Sequence, residues 1–267
     1  VNIKSIYIWF NKLGLKKMNL ETVKGQFKKL KMFSSSKELE EIVFKNKKAI
    51  DLTWLSEVLE AEIDFRNEAS VQRRIINAQF PEQRNLEQFN WNFNPKIPKE
   101  NIKELSTLKF IEKNEIGLFL GNPGTGKTHC AIAIGMLAAR YGYKVYCTSV
   151  KRLSKKIMMA KKENTLDSLF KKILTSKLWI LDDWGVVSMS RDVSEEIFDL
   201  FDRRKHNSAM LLTSNRDVEE WPQVFSDPVL ANAAIDRMFE TANICIFEGE
   251  SYRMKGRILM KDFDKEI

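Results

Sequence analysis

At 267 residues, 43% of them hydrophobic and 30% charged, the chain has an ordinary globular composition that excludes a disordered polymer and suits one good-sized domain plus an appendage, or two small domains. The formal net charge of +8 equals the surplus of the first fifty residues alone, where twelve Lys stand against four Glu and no Arg; such a bias points to an acidic partner such as nucleic acid, or to a solvated face. Three scattered cysteines in apolar patterns exclude a disulfide framework, and no apolar run reaches the length of a membrane span, so the chain is expected to be soluble, cytoplasmic and without a membrane partner.

The run "IYIWF" at 6–10 is too short for a signal-peptide core and is followed by Lys12, Lys16 and Lys17. From residue 20 to about 80 the pattern is helical. Leu39, Ile42 and Val43 recur at helical spacing, then Leu52, Leu55, Val58 and Leu59, then Phe65, Ala69, Ile75 and Ile76. "SSSKELEE" at 34–41 offers serines ahead of a glutamate-rich turn and predicts a helix start there. Residues 80–98 hold three of the six prolines and many Asn and Gln, the composition of a linker. The expected division is a helical domain over 1–80 that binds nucleic acid or a protein partner, a linker over 81–100 and a second domain over 101–267.

Beyond residue 116 the pattern alternates. Short apolar runs at 116–120, 145–147, 178–181, 210–213 and 244–247 are separated by helical stretches at 128–140, 153–161, 193–204 and 228–239. Strands alternating with helices predict a parallel sheet covered on both faces.

Directly after the first strand comes "GNPGTGKT", residues 121–128, a phosphate loop in its strand–loop–helix context. Gly121, Gly124 and Gly126 let backbone amides curl around phosphates, and Asn122, Pro123 and Thr125 complete the cradle. Lys127 brings charge to the terminal phosphates, and the Thr128 hydroxyl can ligate Mg²⁺, while the helix beginning here turns its positive end to the anion. The loop predicts a nucleotide as ligand, with magnesium. "KLWILDDWG" then raises the question of why two acids, Asp182 and Asp183, end a buried strand. One answer is a turn. The other is that Asp182 holds the cation and Asp183 polarises an attacking water. In "LLTSNR", Asn215 could orient that water or simply end a strand. In "SDPVLANAAIDRMF", Asp227 caps a helix with Pro228 at its first position, and Arg237 in the last turn suits the helix dipole.

Together with "FIEKNEIGLFLGNPGTGKTHCAIAIG", "WILDDWG", "LLTSNRDVEEWPQVFSDPVLANAAIDRMF" and "GESYR", these pieces resemble the IstB-type ATPases over roughly residues 50–255. These are AAA+ proteins that help insertion-sequence transposases and are related to the helicase loader DnaC. The resemblance implies an α/β fold with a five-stranded parallel sheet of order 5-1-4-3-2, a small helical N-terminal domain and a reduced or absent lid, since only about twenty residues follow the last strand. It implies catalytic roles for Lys127, Asp183, Asn215 and Arg237, the last as a finger reaching a neighbouring subunit's nucleotide, so that hydrolysis depends on a homo-oligomer. Asp183 stands where AAA+ enzymes commonly carry Glu, which leaves a hydrolysis-silent scaffold as one alternative. Arg253 in "GESYR" could stand in for a lid arginine.

Double-stranded DNA is expected at Lys151, Arg152, Lys155 and Lys156 of "KRLSKKIMMAKKE", a helix that faces DNA in this branch, and at Lys28 and Lys29 among the N-terminal lysines that also include Lys47 and Lys48. Lysines favour sequence-independent backbone contacts. Trp91 and Phe93 could flank an adenine or pack in a core, and His129 and His206 receive no role. The implied function is an ATP-dependent transposition helper with a transposase as partner. A helicase loader is the alternative. A small-molecule kinase would need a substrate lid that these motifs do not supply.

Overall fold

The computed structural model describes residues 17–46, 50–205 and 207–255. Lys47, Lys48, His206 and the apolar run at 6–10 lie outside the described residues. The chain forms two compact units, divided between Gln72 and Arg73.

The smaller unit contains α1 (Lys17–Lys29), α2 (Phe33–Lys45) and the first part of α3 (Thr53–Ala78). The turn after α1 places Lys31 at φ 61°, with Met32 N–H donating to Phe27 O at 2.9 Å and Lys31 N–H to Lys28 O at 3.0 Å, a Schellman closure. Leu20, Val23, Phe27, Leu30, Val43, Leu52 and Leu59 form its core. One expectation fails here. Helix α2 begins at Phe33 with Met32 as N-cap, so the serines fall inside its first turn and none caps it. Of the apolar positions read as helical, Ile42, Val58 and Phe65 are exposed, because a unit of this size has only one interior for its helices to share.

The larger unit continues through α4 (Lys99–Ser106) and a short turn of helix, α5 (Lys109–Glu112). It then alternates through β1 (Ile116–Gly121), α6 (Lys127–Arg140), β2 (Val145–Ser149), α7 (Val150–Lys162), α8 (Leu166–Leu174), β3 (Leu178–Trp184), α9 (Arg191–Arg204), β4 (Ala209–Ser214), α10 (Pro228–Phe239) and β5 (Ala242–Phe247). The strands are all parallel in the order β2-β3-β4-β1-β5, the expected order read from the opposite edge. Among the described residues, only a 3₁₀ turn at Tyr252–Met254 follows β5, and no helical lid. No described helix is long and apolar enough to cross a membrane. Helix α8 was not read from the sequence, although Phe170 and Ile173 are its buried contacts.

Alternation along the strands assigns the two faces. Ile116, Leu118, Leu120, Trp179, Leu181, Met210 and Leu212 point to the layer made by α7 to α10, and their core takes in Ile157, Phe170, Ile197, Phe201 and Met238. The other face receives α6, and there Phe119 lies 5.3 Å from Phe247. The three cysteines are buried free thiols. β5 is an edge strand with Cys245 and Phe247 inward and Ile244 and Ile246 outward.

One irregularity bears on everything that follows. Leu181 pairs with Leu212, but Trp184 pairs with Ser214, so β3 contains one residue more than β4 over the same span. The bulge falls on the two acids, and Asp183 sits at φ 60°. Because Leu212 is fully buried at the centre of the sheet, Leu212→Ala should lower the unfolding free energy of this unit by about 2–5 kcal/mol, measured by urea titration.

Candidate functional site

Parallel strands deliver their carboxyl ends to one edge of the sheet, where ligands of such folds collect. β1 ends there in the phosphate loop, β3 in the two acids and β4 in Ser214, followed by Asn215. Between loop and helix, Gly126 takes φ 107°, and a Cβ at this position would run into the Phe89 ring. Gly124, at φ 78°, leaves no room for one beside Ser251. Glycine is required at both positions by conformation and by space.

Lys127 opens α6 and folds its ammonium onto the loop, donating to Gly121 O at 2.7 Å and Asn122 O at 2.6 Å. Burial pushes its pKa down to about 8, against the pull of Asp183 and Asp182, and Arg253 adds to the downward shift. The next residue reaches across the sheet edge: Thr128 Oγ1 donates to Asp182 Oδ1 at 2.8 Å. Thr213 Oγ1 donates to the same oxygen at 2.6 Å and accepts from Asp183 N–H at 3.1 Å. One threonine thus fixes both acids.

Neighbouring residues of a regular strand point to opposite faces. The bulge removes that alternation, so Asp182 and Asp183 line one cavity while Trp184 stays fully buried. The Asp183 carboxyl is raised above its ordinary range, first by burial and then by Asp182, with Arg253 and Lys127 opposing. The cavity, of about 510 Å³, is bounded by Gly124 to His129, Asp182, Asp183, Asn215, Tyr252 and Arg253, and on its far side by residues between Glu82 and Ile97.

That far wall is built from the stretch read as a linker. Asn94 donates to Glu250 O at 2.9 Å and accepts from Glu250 N–H at 3.1 Å, tying the stretch to the "GESYR" turn. Phe93 meets Tyr252 edge-on at 4.9 Å, and Phe89 meets His129 at 5.2 Å. The result is a pocket with a glycine-rich, cationic end, two acids at its floor and an aromatic and amide wall opposite, which suits a nucleotide.

The IstB-like ATP binding protein family matches residues 25–259. The chain belongs to this family. It is 36% identical over 202 residues, 76% of either chain, to an ATP-binding protein named for insertion sequence IS21 in Pseudomonas aeruginosa. It is 33% identical to one named for IS5376 in Geobacillus stearothermophilus, across 80% of this chain and 85% of that one. Among solved structures, DnaI aligns with TM-score 0.54 at 19% identity, over 62% of this chain and 92% of its own. DnaA of Aquifex aeolicus with AMPPCP bound aligns at 0.52 and 23%, over 71% and 58%. These structural likenesses show the fold alone, and the family makes ATP the ligand.

Within this IstB-like chain, the structure brings together Gly124, Thr125 and Gly126 of the phosphate loop with Lys127, Thr128, Asp182, Asp183 and Asn215 around one cavity, while Gly121, Asn122 and Pro123 are not among its walls. Arg237 is not among its walls: it lies at the end of α10 and is paired with Asp202 at 3.1 Å. On α7, Lys151, Arg152 and Lys155 are exposed, as are Lys28 and Lys29 on α1. Lys156 departs from the expected basic row. It turns inward, donating to Tyr146 OH at 2.9 Å and Gln79 Oε1 at 2.8 Å, and burial lowers its pKa. Tyr146 is almost fully buried, so its hydroxyl needs a partner and the lysine beside it is drawn in. Trp91 packs on Phe89 at 4.7 Å, outside the cavity wall, whereas Phe93 is part of it. Sequence reading missed Phe89, Asn94, Thr213 and the contribution of His129. Thr213 stood in view within "LLTSNR", two residues from the asparagine that drew attention.

Two outcomes are expected. Gly126→Val, which forces a β-branched residue to a positive φ against Phe89, should weaken ATP binding at least about tenfold in calorimetry while the protein stays folded. Burial brings the Lys127 pKa to about 8, against about 10.4 in an unfolded chain. Between these values the unfolded state holds more protons, so this residue's penalty on the fold lessens as pH rises. Phosphates favour the charged form, so ATP affinity should fall above pH 8. Binding at pH 9 should take up a proton, read from calorimetry in buffers of different ionisation heat.

Proposed function

We propose that the chain is an ATP-dependent, DNA-binding ATPase that assembles as a homo-oligomer on double-stranded DNA and assists a transposase, hydrolysis dismantling the assembly. The observation that carries this reading is the position of Arg237. A guanidinium outside the walls of its own subunit's cavity, partly exposed and paired at the surface with Asp202 of α9 and the adjacent Asp236, is suited to a neighbour's cavity. Relatives named for insertion sequences support a transposase as partner.

Each residue then has a task. Lys127 releases the loop carbonyls and holds the terminal phosphates. Thr128 and Asp182 would hold magnesium: one hydroxyl and one carboxylate oxygen already stand 2.8 Å apart. Among the described residues no cluster of three acidic, His or Cys side chains competes, which fits a cation that takes phosphate and water as its other ligands. Bound there, the ion would neutralise charge on the phosphate oxygens. Asp183 polarises the attacking water, and Asn215 orients it from the end of β4. Arg237 stabilises charge developing on the partner subunit's nucleotide, a contribution of about 10³–10⁵ in rate for such fingers. Lys151, Arg152 and Lys155, with Lys28 and Lys29, contact the DNA backbone without regard to sequence.

Arg237→Ala should bind ATP as the parent does and lose about 10³-fold or more in turnover on DNA. Mixed with Lys127→Ala, which keeps the finger but not the phosphate contact, it should recover part of the activity. Undiminished turnover in Arg237→Ala, or no recovery on mixing, would refute the shared site. Changing Lys151, Arg152 and Lys155 together to Ala should weaken binding to every duplex alike. It should also flatten the dependence of log affinity on log salt by about three.

A further inference from the structure

Helix α3 carries a second apolar pattern that its own unit does not use. Trp54, Val58, Ala61 and Phe65 follow a 4-3-4 spacing, which on an α-helix aligns them in one stripe. The core contacts of α3, Leu59 with the partly buried Leu55 and Ile63, lie round the other side of the helix, and Leu52 joins the same core from just ahead of it. Trp54, Val58 and Phe65 are accordingly 62%, 58% and 68% exposed. Single exposed apolar residues need no explanation, but three large ones in register along one helix do.

The flanks of the stripe are acidic. Helical geometry puts Glu57, Asp64 and Glu68 along one edge and Glu62 along the other, with Asp51 just ahead of the helix. Between residues 51 and 68 stand six carboxylates and a single basic residue, Arg66. That arginine is already paired with Glu62 at 2.6 Å and donates to Leu30 O at 3.2 Å.

Charge decides what can cover such a face. A second copy laid stripe against stripe would align acid with acid along its length, which is unfavourable. Anionic lipid headgroups and DNA phosphates are repelled for the same reason. An amphipathic helix with heptad-spaced apolar residues between rows of Lys or Arg satisfies both the apolar stripe and its borders.

We propose that the Trp54–Phe65 face of α3 is a docking surface for a basic amphipathic helix of a partner protein. This rests on the small unit alone and does not depend on the roles assigned around the nucleotide. It also gives that unit two faces of opposite character, a lysine-bearing α1 and an acidic α3.

The test uses the full chain and a labelled peptide of about eighteen residues, long enough for four or five turns, made of Leu at heptad a and d positions and Lys elsewhere. Two controls accompany it: a scrambled peptide of the same composition, and a Leu–Glu peptide of the same pattern. The basic amphipathic peptide should bind at least about tenfold tighter than either control. It should lose about tenfold with Trp54→Ser or Phe65→Ser, and weaken as salt rises. Both side chains are exposed, so the variants should keep the parent's circular dichroism and melting temperature. Absence of binding, equal binding of the scrambled peptide, or no loss in either variant would overturn the proposal. So would a dimer in sedimentation that Phe65→Ser dissolves, which would assign the stripe to a second copy.

Discussion

Two carboxylates at the end of a buried strand repel one another and resist dehydration, and the large unit is organised so that they can stand there. A single extra residue in β3, with Asp183 in the left-handed region, turns both acids to the same side. Two hydroxyls, from Thr128 and Thr213, then converge on one oxygen of Asp182. Each comes from a different element, so the acid pair is correctly placed only when α6, β3 and β4 are all in register. The bulge and its hydroxyl clamp thus link the integrity of the sheet to the chemistry at its edge.

The same edge holds an opposing charge at a cost. Lys127 is buried, and burial lowers its pKa to about 8 although two carboxylates lie near it. Its ammonium is meanwhile satisfied by loop carbonyls. A site in this condition is primed for an anion: phosphate supplies what the lysine lacks, and the amides at the start of α6 face the same way. The wall across from it comes from residues 82–97 and is locked to the turn after β5 by the paired Asn94–Glu250 bonds. The cavity's lining therefore draws on residues 82–97 and 252–253 together.

Charge elsewhere is arranged by face. The surplus of lysine in the first fifty residues dominates any average over the small unit, yet α3 presents an apolar stripe bordered by acids. On α7, the outward Lys151, Arg152 and Lys155 differ from Lys156, which is drawn in by the buried Tyr146 hydroxyl. Net charge identifies a class of partner, and only the disposition of individual residues says which surface meets it.

The sequence alone determined the phosphate loop, the alternation of strands and helices, and the identity of the acids, because these depend on local spacing. Gly121 to Thr128 must be contiguous to wrap a phosphate, and a buried parallel strand must be an apolar run. The family resemblance added the strand order. What tertiary structure alone decided is whatever depends on residues distant in sequence. Thr213 earns its place only through a bond to Asp182 across the sheet, and Phe89 only through the space that Gly126 leaves. Asn94 acts through Glu250, 156 residues away. Periodicity could not separate Leu59, which packs inward, from Val58, which does not. Both are apolar and adjacent, and the difference is set by which side of α3 the other two helices occupy.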